Sequence, residues 1–296
     1  MKLSQLLPFI LFFQSCTAQP VEKIPSNNDD NTLLWEISGN NLAKPSYLFG
    51  TFHLMCKEDI RFSKELKQAI KNSSEVYFEM DLDDISNTLG VILYMNMNDG
   101  KTLKDLYNPE EYKRVERFFK DSIGMSLMML QRMKPNFTEA FLYPKMMPCK
   151  TASGIEEELM KIAKAEKKEI NGFETIQFQA SVFDSIPYAT QAKELLNTID
   201  SIDIYKKNFD TMLNVYKTQH LSAIEDMFTK AEFGMDDNRD ILLDNRNKNW
   251  VEQLNKILPG KNIFIAVGAG HLVGEKGLIA LLKKAGYTLR PLMNRN

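Results

Sequence analysis

The pattern of hydrophobic and polar positions predicts short strands near both ends of the chain and helices between them. Mainly apolar runs bounded by turn residues predict strands at residues 34–37, 46–49, 76–78 and 263–267, and we expect further short strands at 169–173 and 287–289. Asn40 and Asn41 separate the first two runs and are typical of a turn, so we expect these two strands to form a hairpin. The run from Ile263 to Val267 contains no polar residue, which predicts a buried strand.

Helical spacing dominates the middle of the sequence. It predicts helices at about residues 62–70, 155–162, 209–228, 240–257 and 278–285, and a longer helical region at about 84–147. Pro109, Pro135 and Pro144 interrupt that region and divide it into short helices. Ser153 and Glu156 have the spacing of a capping box at the start of another helix. The expected fold is therefore α/β, with strands from both chain ends forming a central sheet and a large helical insertion.

The first residues differ from the rest of the chain. Lys2 precedes an apolar run at residues 6–13 and then small residues, a pattern typical of a secretory signal peptide over residues 1–18. Residues 19–33 are polar and predict a flexible linker, which leaves residues 34–296 as the folded domain. We expect an exported protein, either periplasmic or anchored by a lipid in the cell envelope.

The cysteines leave two questions open. Cys16 ends a loose lipobox, but Cys16 to Ala18 also fits a signal-peptidase site with cleavage before Gln19. No later apolar stretch reaches membrane length, so any membrane contact would come through a lipid on Cys16. Cys56 and Cys149 could pair in an oxidising compartment, although two cysteines are not a disulfide framework and separate buried thiols are favoured.

Composition narrows the class of protein. The 296 residues are 44% hydrophobic and 26% charged, which is enough for a sizeable core. The formal net charge is −2 and the sequence has no long basic run, so we expect no nucleic-acid partner.

Two of the three histidines occur in the same context. Gly50 lies three residues before His53, and Gly268 lies three residues before His271, each after a predicted strand. Glycine would let the backbone turn sharply there and present each histidine at the carboxyl end of its strand, where open α/β sheets place their sites. His220 has no such glycine and lies in a helical pattern, so we expect it to be structural or exposed.

Glu79 is the acidic residue that best complements these histidines. It follows the apolar run that ends at Phe78, and a carboxylate there requires a partner. Two histidines and one glutamate form a known catalytic zinc ligand set that leaves a position for water. The same three residues could also act without a metal, with a histidine as base oriented by the glutamate.

Three blocks of sequence resemble the TraB/GumN family and its animal relatives, the Tiki proteases. They are WEISGNNLAKPSYLFGTFHL at 35–54, YFEMDLDD at 77–84 and FIAVGAGHLVGEKGLIALLKKAGYTLRPL at 264–292. Weaker matches lie at residues 153–175 and 245–250. The family signature pairs two Gly-x-x-His motifs with a glutamate. The resemblance implies a shared fold and, for the Tiki branch, a metal-dependent peptidase activity.

The resemblance also assigns roles to two further residues. Arg246 would hold a substrate carboxylate or a developing oxyanion, and Glu174 would be a partner for a histidine. From the residues alone, Arg246 is equally well explained as a solvent-facing helix residue. Glu174 is explained better as an acid at a helix N-terminus.

The leading functional hypothesis is an exported, metal-dependent, peptidase-like hydrolase that acts on a peptide or protein. His53, Glu79 and His271 would bind a divalent metal cation of unidentified kind, with Arg246 completing the catalytic group. One alternative is a metal-free His/Glu hydrolase of the esterase type. The other is a non-catalytic protein that binds and sequesters a peptide.

Overall fold

The computed structural model describes residues 30–81, 94–229 and 238–295. Within them the strands are β1 (Leu34–Gly39), β2 (Ser46–Thr51), β3 (Met55–Cys56), β4 (Glu75–Met80), β5 (Ala152–Ser153), β6 (Glu169–Glu174), β7 (Ile263–Gly268) and β8 (Tyr287–Pro291). Six of these strands form one sheet in the order β6-β4-β7-β2-β1-β8, and β3 pairs separately with β5.

The helices of the described residues fill the sequence between and beside these strands. They are α1 (Lys64–Asn72), α2 (Leu103–Leu106), α3 (Pro109–Phe118), α4 (Pro135–Glu139), α5 (Tyr143–Met146), α6 (Ile155–Ala165), α7 (Ile176–Val182), α8 (Tyr188–Asp200), α9 (Ile202–Thr218), α10 (Leu221–Thr229), α11 (Asn245–Ile257) and α12 (Leu278–Lys284).

The sheet confirms the predicted fold class, because its strands come from both ends of the chain. β1 and β2 form the expected antiparallel hairpin, and β8 pairs with the other edge of β1. The strands β2, β7, β4 and β6 run parallel to one another. Their carboxyl ends therefore lie along one edge of the sheet, where the candidate residues follow them.

Two helices of the insertion begin at the prolines that were predicted to divide this region. Pro109 is the first residue of α3, whose N-terminus is capped by Asn108, and Pro135 is the first residue of α4. Proline suits this position because the first turn of a helix needs no N–H donor from it. The insertion also has its own apolar cluster, which includes Leu103 and Phe119, so it is a packed unit beside the sheet.

The predicted helix at residues 209–228 is two helices. α9 ends at Thr218, and Gln219 then adopts a left-handed conformation with φ of 60°. The Gln219 side chain accepts a hydrogen bond from the backbone N–H of Leu33 at 3.2 Å and donates to the carbonyl of Asn294 at 2.6 Å. Gln219 therefore bridges residues near both ends of the described chain. The exposed His220 lies between the two helices.

Cys56 and Cys149 form a disulfide, so the expectation of two separate thiols is wrong. Pairing of β3 with β5 places Ala152 opposite Cys56 and brings the two cysteine Cα atoms to 5.9 Å. The two cysteines are separated by 93 residues in sequence. Only the fold brings them together.

The predicted signal peptide, most of the predicted linker and the possible lipid on Cys16 lie outside the described residues, and stay predictions. Within the described part of the chain, no helix combines the length and apolar character needed to cross a bilayer.

Gly172→Ala is expected to destabilise the fold strongly. Gly172 lies in β6 opposite Phe78. An added Cβ would lie 2.1 Å from the backbone nitrogen of Asp81 and 2.4 Å from the carbonyl carbon of Met80. Backbone atoms of a central strand cannot move aside cheaply, so we expect a loss of about 3 kcal/mol in the free energy of unfolding, measured by urea denaturation.

Gly260→Ala is the matched control. Its added Cβ would lie 3.9 Å from the nearest described atom, the carbonyl oxygen of Ile257. Its free energy of unfolding should stay within about 0.5 kcal/mol of the wild type. Equal stability of the two variants would contradict the close packing of β6 on β4.

Candidate functional site

The structure brings the three predicted site residues to the same edge of the sheet. His53 follows β2, Glu79 lies inside β4 rather than after it, and His271 ends a single helical turn that follows β7. A Cβ atom built on Gly268 would lie 3.2 Å from Glu79 Oε1, 3.7 Å from His53 Nε2 and 3.7 Å from His271 Cδ2. The three side chains therefore surround Gly268.

The glycines of the two motifs serve close packing rather than a sharp turn. Gly50 and Gly268 are strand residues with ordinary φ, which corrects the sequence expectation. A Cβ on Gly50 would lie 3.2 Å from the α-carbon of Ala269 in the other motif. At Gly268, the absent side chain leaves room for Glu79, whose Oε1 accepts the Gly268 N–H at 2.8 Å.

His271 is buried and held in one tautomer. The side-chain N–H of Asn247 donates to the carbonyl of Lys276 at 2.9 Å, which turns its Oδ1 toward His271 Nδ1, 2.6 Å away. Nδ1 therefore donates, and Nε2 keeps its lone pair. Burial, reinforced by the charge of Arg246, lowers the pKa of His271 to about 3, so the ring is neutral. Its face packs on Trp250 with centroids 4.4 Å apart.

His53 is exposed over 72% of its side chain, but one of its nitrogens is held. Its Nδ1 lies 2.8 Å from Oε1 of Glu156, which also accepts a hydrogen bond from the Thr51 hydroxyl at 2.5 Å. Desolvation alone would lower the pKa of His53. The charge and hydrogen bond of Glu156 outweigh it and raise the pKa above its ordinary value. Nε2 is left facing Gly268.

Glu156 is a site residue that sequence reasoning missed. Its spacing from Ser153 predicts a capping box, but Gly154 is the residue that precedes α6 and no side-chain cap forms. Ser153 donates instead to Glu157 and Glu158. Glu156 is thereby available to His53, which lies 103 residues earlier in the sequence.

Glu79 is an ionised carboxylate among positive partners. Its Oε2 accepts from the Arg246 guanidinium at 2.7 Å, and its Oε1 lies 3.7 Å from His271 Nε2. Desolvation would raise the pKa of Glu79. The charges of His53 and Arg246, with the Gly268 N–H, outweigh it and hold the pKa of Glu79 well below its usual range.

Arg246 lies inside the site rather than in solvent, with 11% of its side chain exposed. Its Nη2 donates to Glu79 at 2.7 Å and to Glu174 at 2.8 Å, and its Nη1 lies 3.2 Å from His271 Nε2. The guanidinium also covers the ring of Trp250 at 4.8 Å. Arg246 thus neutralises two buried carboxylates at the edge of the candidate site.

Glu174 does not contact a histidine, and it is the last residue of β6 rather than an acid at a helix N-terminus. It is buried, pairs with Arg246, and accepts the indole N–H of Trp250 at 2.8 Å. Gln179 donates to both Glu174 and Glu79, at 3.0 Å and 3.4 Å. His220 lies apart from this group and is exposed, as expected.

Residues 33–291 match the TraB/PrgY/gumN family. The chain belongs to this family. Curated relatives include metalloprotease TIKI1 of Danio rerio, 23% identical over 319 residues that cover 88% of this chain and 63% of the relative. Human metalloprotease TIKI1 is 22% identical over 322 residues, covering 89% and 62%. The metalloprotease TIKI homolog of Nematostella vectensis is 23% identical over 350 residues, covering 94% and 72%.

The chain spans a little over three fifths of the zebrafish and human relatives. No solved structure matches it.

The donor set of this TraB/PrgY/gumN chain fits a divalent cation. Each histidine has its Nδ1 on an oxygen acceptor, an arrangement typical of metal-binding histidines. His53 Nε2 faces Gly268, and His271 Nε2 faces Glu79 and Arg246. His271 Nε2 and Glu79 Oε1 are 3.7 Å apart, close enough to share one ion.

His53 lies farther from the other two candidate ligands than they lie from each other. In the described part of the chain, three potential metal-ligand atoms lie within 4.8 Å of one another only in the group Cys56, Glu58 and Cys149, whose two cysteines are joined in the disulfide. The ligand atoms of His53, Glu79 and His271 are spaced more widely than this. Since His271 and Glu79 are already close, the larger spacing in the candidate set involves His53.

Proposed function

We propose that this protein is an exported, metal-dependent hydrolase that cleaves peptide substrates. One observation carries the proposal: two histidines, each held through Nδ1, lie beside Gly268 and the ionised Glu79, and His271 Nε2 is 3.7 Å from Glu79 Oε1. Two imidazole nitrogens and one carboxylate suit a catalytic cation that retains a position for water.

His53, Glu79 and His271 would hold the cation. When bound, it would polarise a substrate carbonyl and lower the pKa of a water molecule, which is the chemistry that peptide hydrolysis needs. The chain's own residues prepare the site. Asn247 and Glu156 hold Nδ1 of the two histidines, so Nε2 is the nitrogen left for the cation, and Arg246 keeps Glu79 ionised.

A peptide substrate is supported by the relatives, which are named metalloproteases. Their low identity and greater length make the substrate a proposal for this chain. No feature of its charge or sequence favours a nucleic-acid partner.

Export is supported by the sequence of residues 1–18 and by the Cys56–Cys149 disulfide, since disulfides persist in oxidising compartments. The protein would then act in the periplasm or on the cell envelope. Contact with the membrane would come through a lipid on Cys16, and intact-mass measurement of the mature protein tests that assignment.

Elemental analysis combined with a peptide-library assay tests the proposed activity. We expect about one divalent ion per chain, cleavage that a chelator abolishes, and recovery when the same metal is returned. Full turnover by metal-free protein would overturn the metal-dependent mechanism. Tight peptide binding without turnover in any metal state would overturn hydrolysis and favour a sequestering protein.

A second candidate is metal-free hydrolysis with His53 as general base. It is favoured by the exposure of His53 and by its 2.8 Å contact with Glu156, which would orient the ring. This candidate predicts cleavage that survives chelation and that requires Glu156. The metal-dependent candidate predicts that chelation alone removes activity.

A further inference from the structure

We propose that the Cys56–Cys149 disulfide and the short β3–β5 ladder form a clamp that holds Glu156 on His53, so that Glu156 is a positioning residue for the candidate site. The consequence for metal binding rests on the proposed function. The clamp itself can be tested in the metal-free protein.

The clamp consists of two antiparallel segments, residues 51–57 and 149–156. At one end they are joined by the disulfide. The N–H of Lys57 then donates to the carbonyl of Thr151 at 3.0 Å, and Ala152 and Ser153 pair with Cys56 and Met55.

The ladder continues to the candidate site. The N–H of Ile155 donates to the carbonyl of Phe52 at 3.4 Å, and Glu156 reaches His53 and Thr51. Contacts therefore run without interruption from the disulfide to the site.

Gly154 permits the closest approach in this ladder. A Cβ atom there would lie 2.9 Å from the carbonyl oxygen of His53, which is a backbone atom that cannot swing aside. The segment that carries Glu156 thus rests directly on the backbone of His53. A side chain at residue 154 would separate them.

The disulfide is needed because the ladder is short. β3 and β5 have two residues each, and an isolated pair of such strands is marginal in water. The two segments are separated by 93 residues between the cysteines. The covalent link keeps them together, and Glu156 then accepts two hydrogen bonds at once.

The Glu156 contact has a chemical consequence for His53. The Thr51 hydroxyl and His53 Nδ1 both point to the same carboxylate oxygen, so Nδ1 carries the proton. This leaves Nε2 as the atom that faces Gly268. Loss of Glu156, or of the clamp, would allow the exposed ring to turn away.

The first test is NMR of the full metal-free chain. A slowly exchanging Nδ1–H proton of His53, assigned by its absence in His53→Ala, should be present in the oxidised protein. It should disappear in Glu156→Ala, in the double variant Cys56→Ser/Cys149→Ser, and after treatment with a dithiol. That reagent supplies two electrons, leaves two protein thiols and becomes a disulfide itself. Persistence of the proton in all three would overturn the clamp.

The second test is the dissociation constant for zinc, measured by competition with a fluorescent chelator. Glu156→Ala and the double cysteine variant should bind zinc about 10- to 100-fold more weakly, the usual cost of losing a partner of a metal-binding histidine. Glu156→Gln keeps an acceptor oxygen and should recover most of the affinity. Glu166→Ala, which alters an exposed residue at the far end of α6, is the control and should match the wild type.

The outcomes separate the two proposals. If the wild type binds no metal, the proposed function fails, and the His53 proton still decides the clamp. If the double cysteine variant does not fold, Gly154→Ala decides, because it separates the segments while the disulfide stays intact. A His53 proton and a zinc affinity unchanged in Gly154→Ala would then overturn the clamp.

Discussion

Replacement of His271 by alanine is expected to remove the metal and the activity together. His271 is buried, neutral and fixed through Asn247, so its Nε2 is the best-prepared donor of the candidate site. Loss of a direct ligand should weaken metal binding by more than the roughly 100-fold upper cost of losing an outer partner. Metal content after dialysis and peptide cleavage measure the two losses.

The other histidines define the comparison. His53→Ala should behave in the same way, because it removes another of only three protein ligands. His220→Ala is the control, since His220 is exposed and lies outside the site, and it should keep its metal and its rate. Retention of a full metal complement in His271→Ala would contradict the proposed ligand set.

Arg246→Ala is expected to produce the second large effect, on stability and turnover. Arg246 pairs with Glu79 at 2.7 Å and Glu174 at 2.8 Å, and all three side chains are largely buried. Removing one member of a buried ion pair leaves an uncompensated charge, which costs about 3–5 kcal/mol. The metal should remain bound, because Arg246 is not a ligand. If Arg246 also stabilises an oxyanion, its loss should raise the activation free energy of turnover by about 2–4 kcal/mol.

Urea unfolding with and without metal measures the stability effect. The deficit of Arg246→Ala should be smaller in the metal-loaded protein, because a bound cation supplies positive charge beside Glu79. Arg290→Ala is the matched control. Arg290 in β8 forms a 2.7 Å ion pair with Glu36 in β1, at the edge of the sheet opposite to β4 and β6. Its deficit should not depend on metal. The same metal dependence in both variants would argue against a cation at Glu79.

The fold could be predicted largely from local patterns. Most strands of the main sheet lie on mainly apolar runs bounded by turn residues, and β7 is the unbroken run that signals burial. The break between α9 and α10 escaped prediction, because Gln219 takes a left-handed position without a glycine or proline nearby. Its role depends on Leu33 and Asn294, which lie far away in sequence.

The three central site residues could be found because each lies at or near the end of a parallel strand, and such ends converge in space. Their partners could not. Glu156 and Asn247 lie on helices rather than at strand ends, and the spacing of Glu156 from Ser153 indicated a capping box. The disulfide was missed for the same reason, since its two cysteines are joined only through the pairing of β3 with β5.

Anomalous diffraction from crystals of the metal-loaded full chain tests the central claim most directly. Data collected on both sides of the absorption edge of the metal identified by elemental analysis should show one peak beside Gly268. We expect it at about 2.0–2.2 Å from Nε2 of His53, Nε2 of His271 and a carboxylate oxygen of Glu79. A peak that none of these three residues coordinates, in protein that cleaves peptide, would contradict the account.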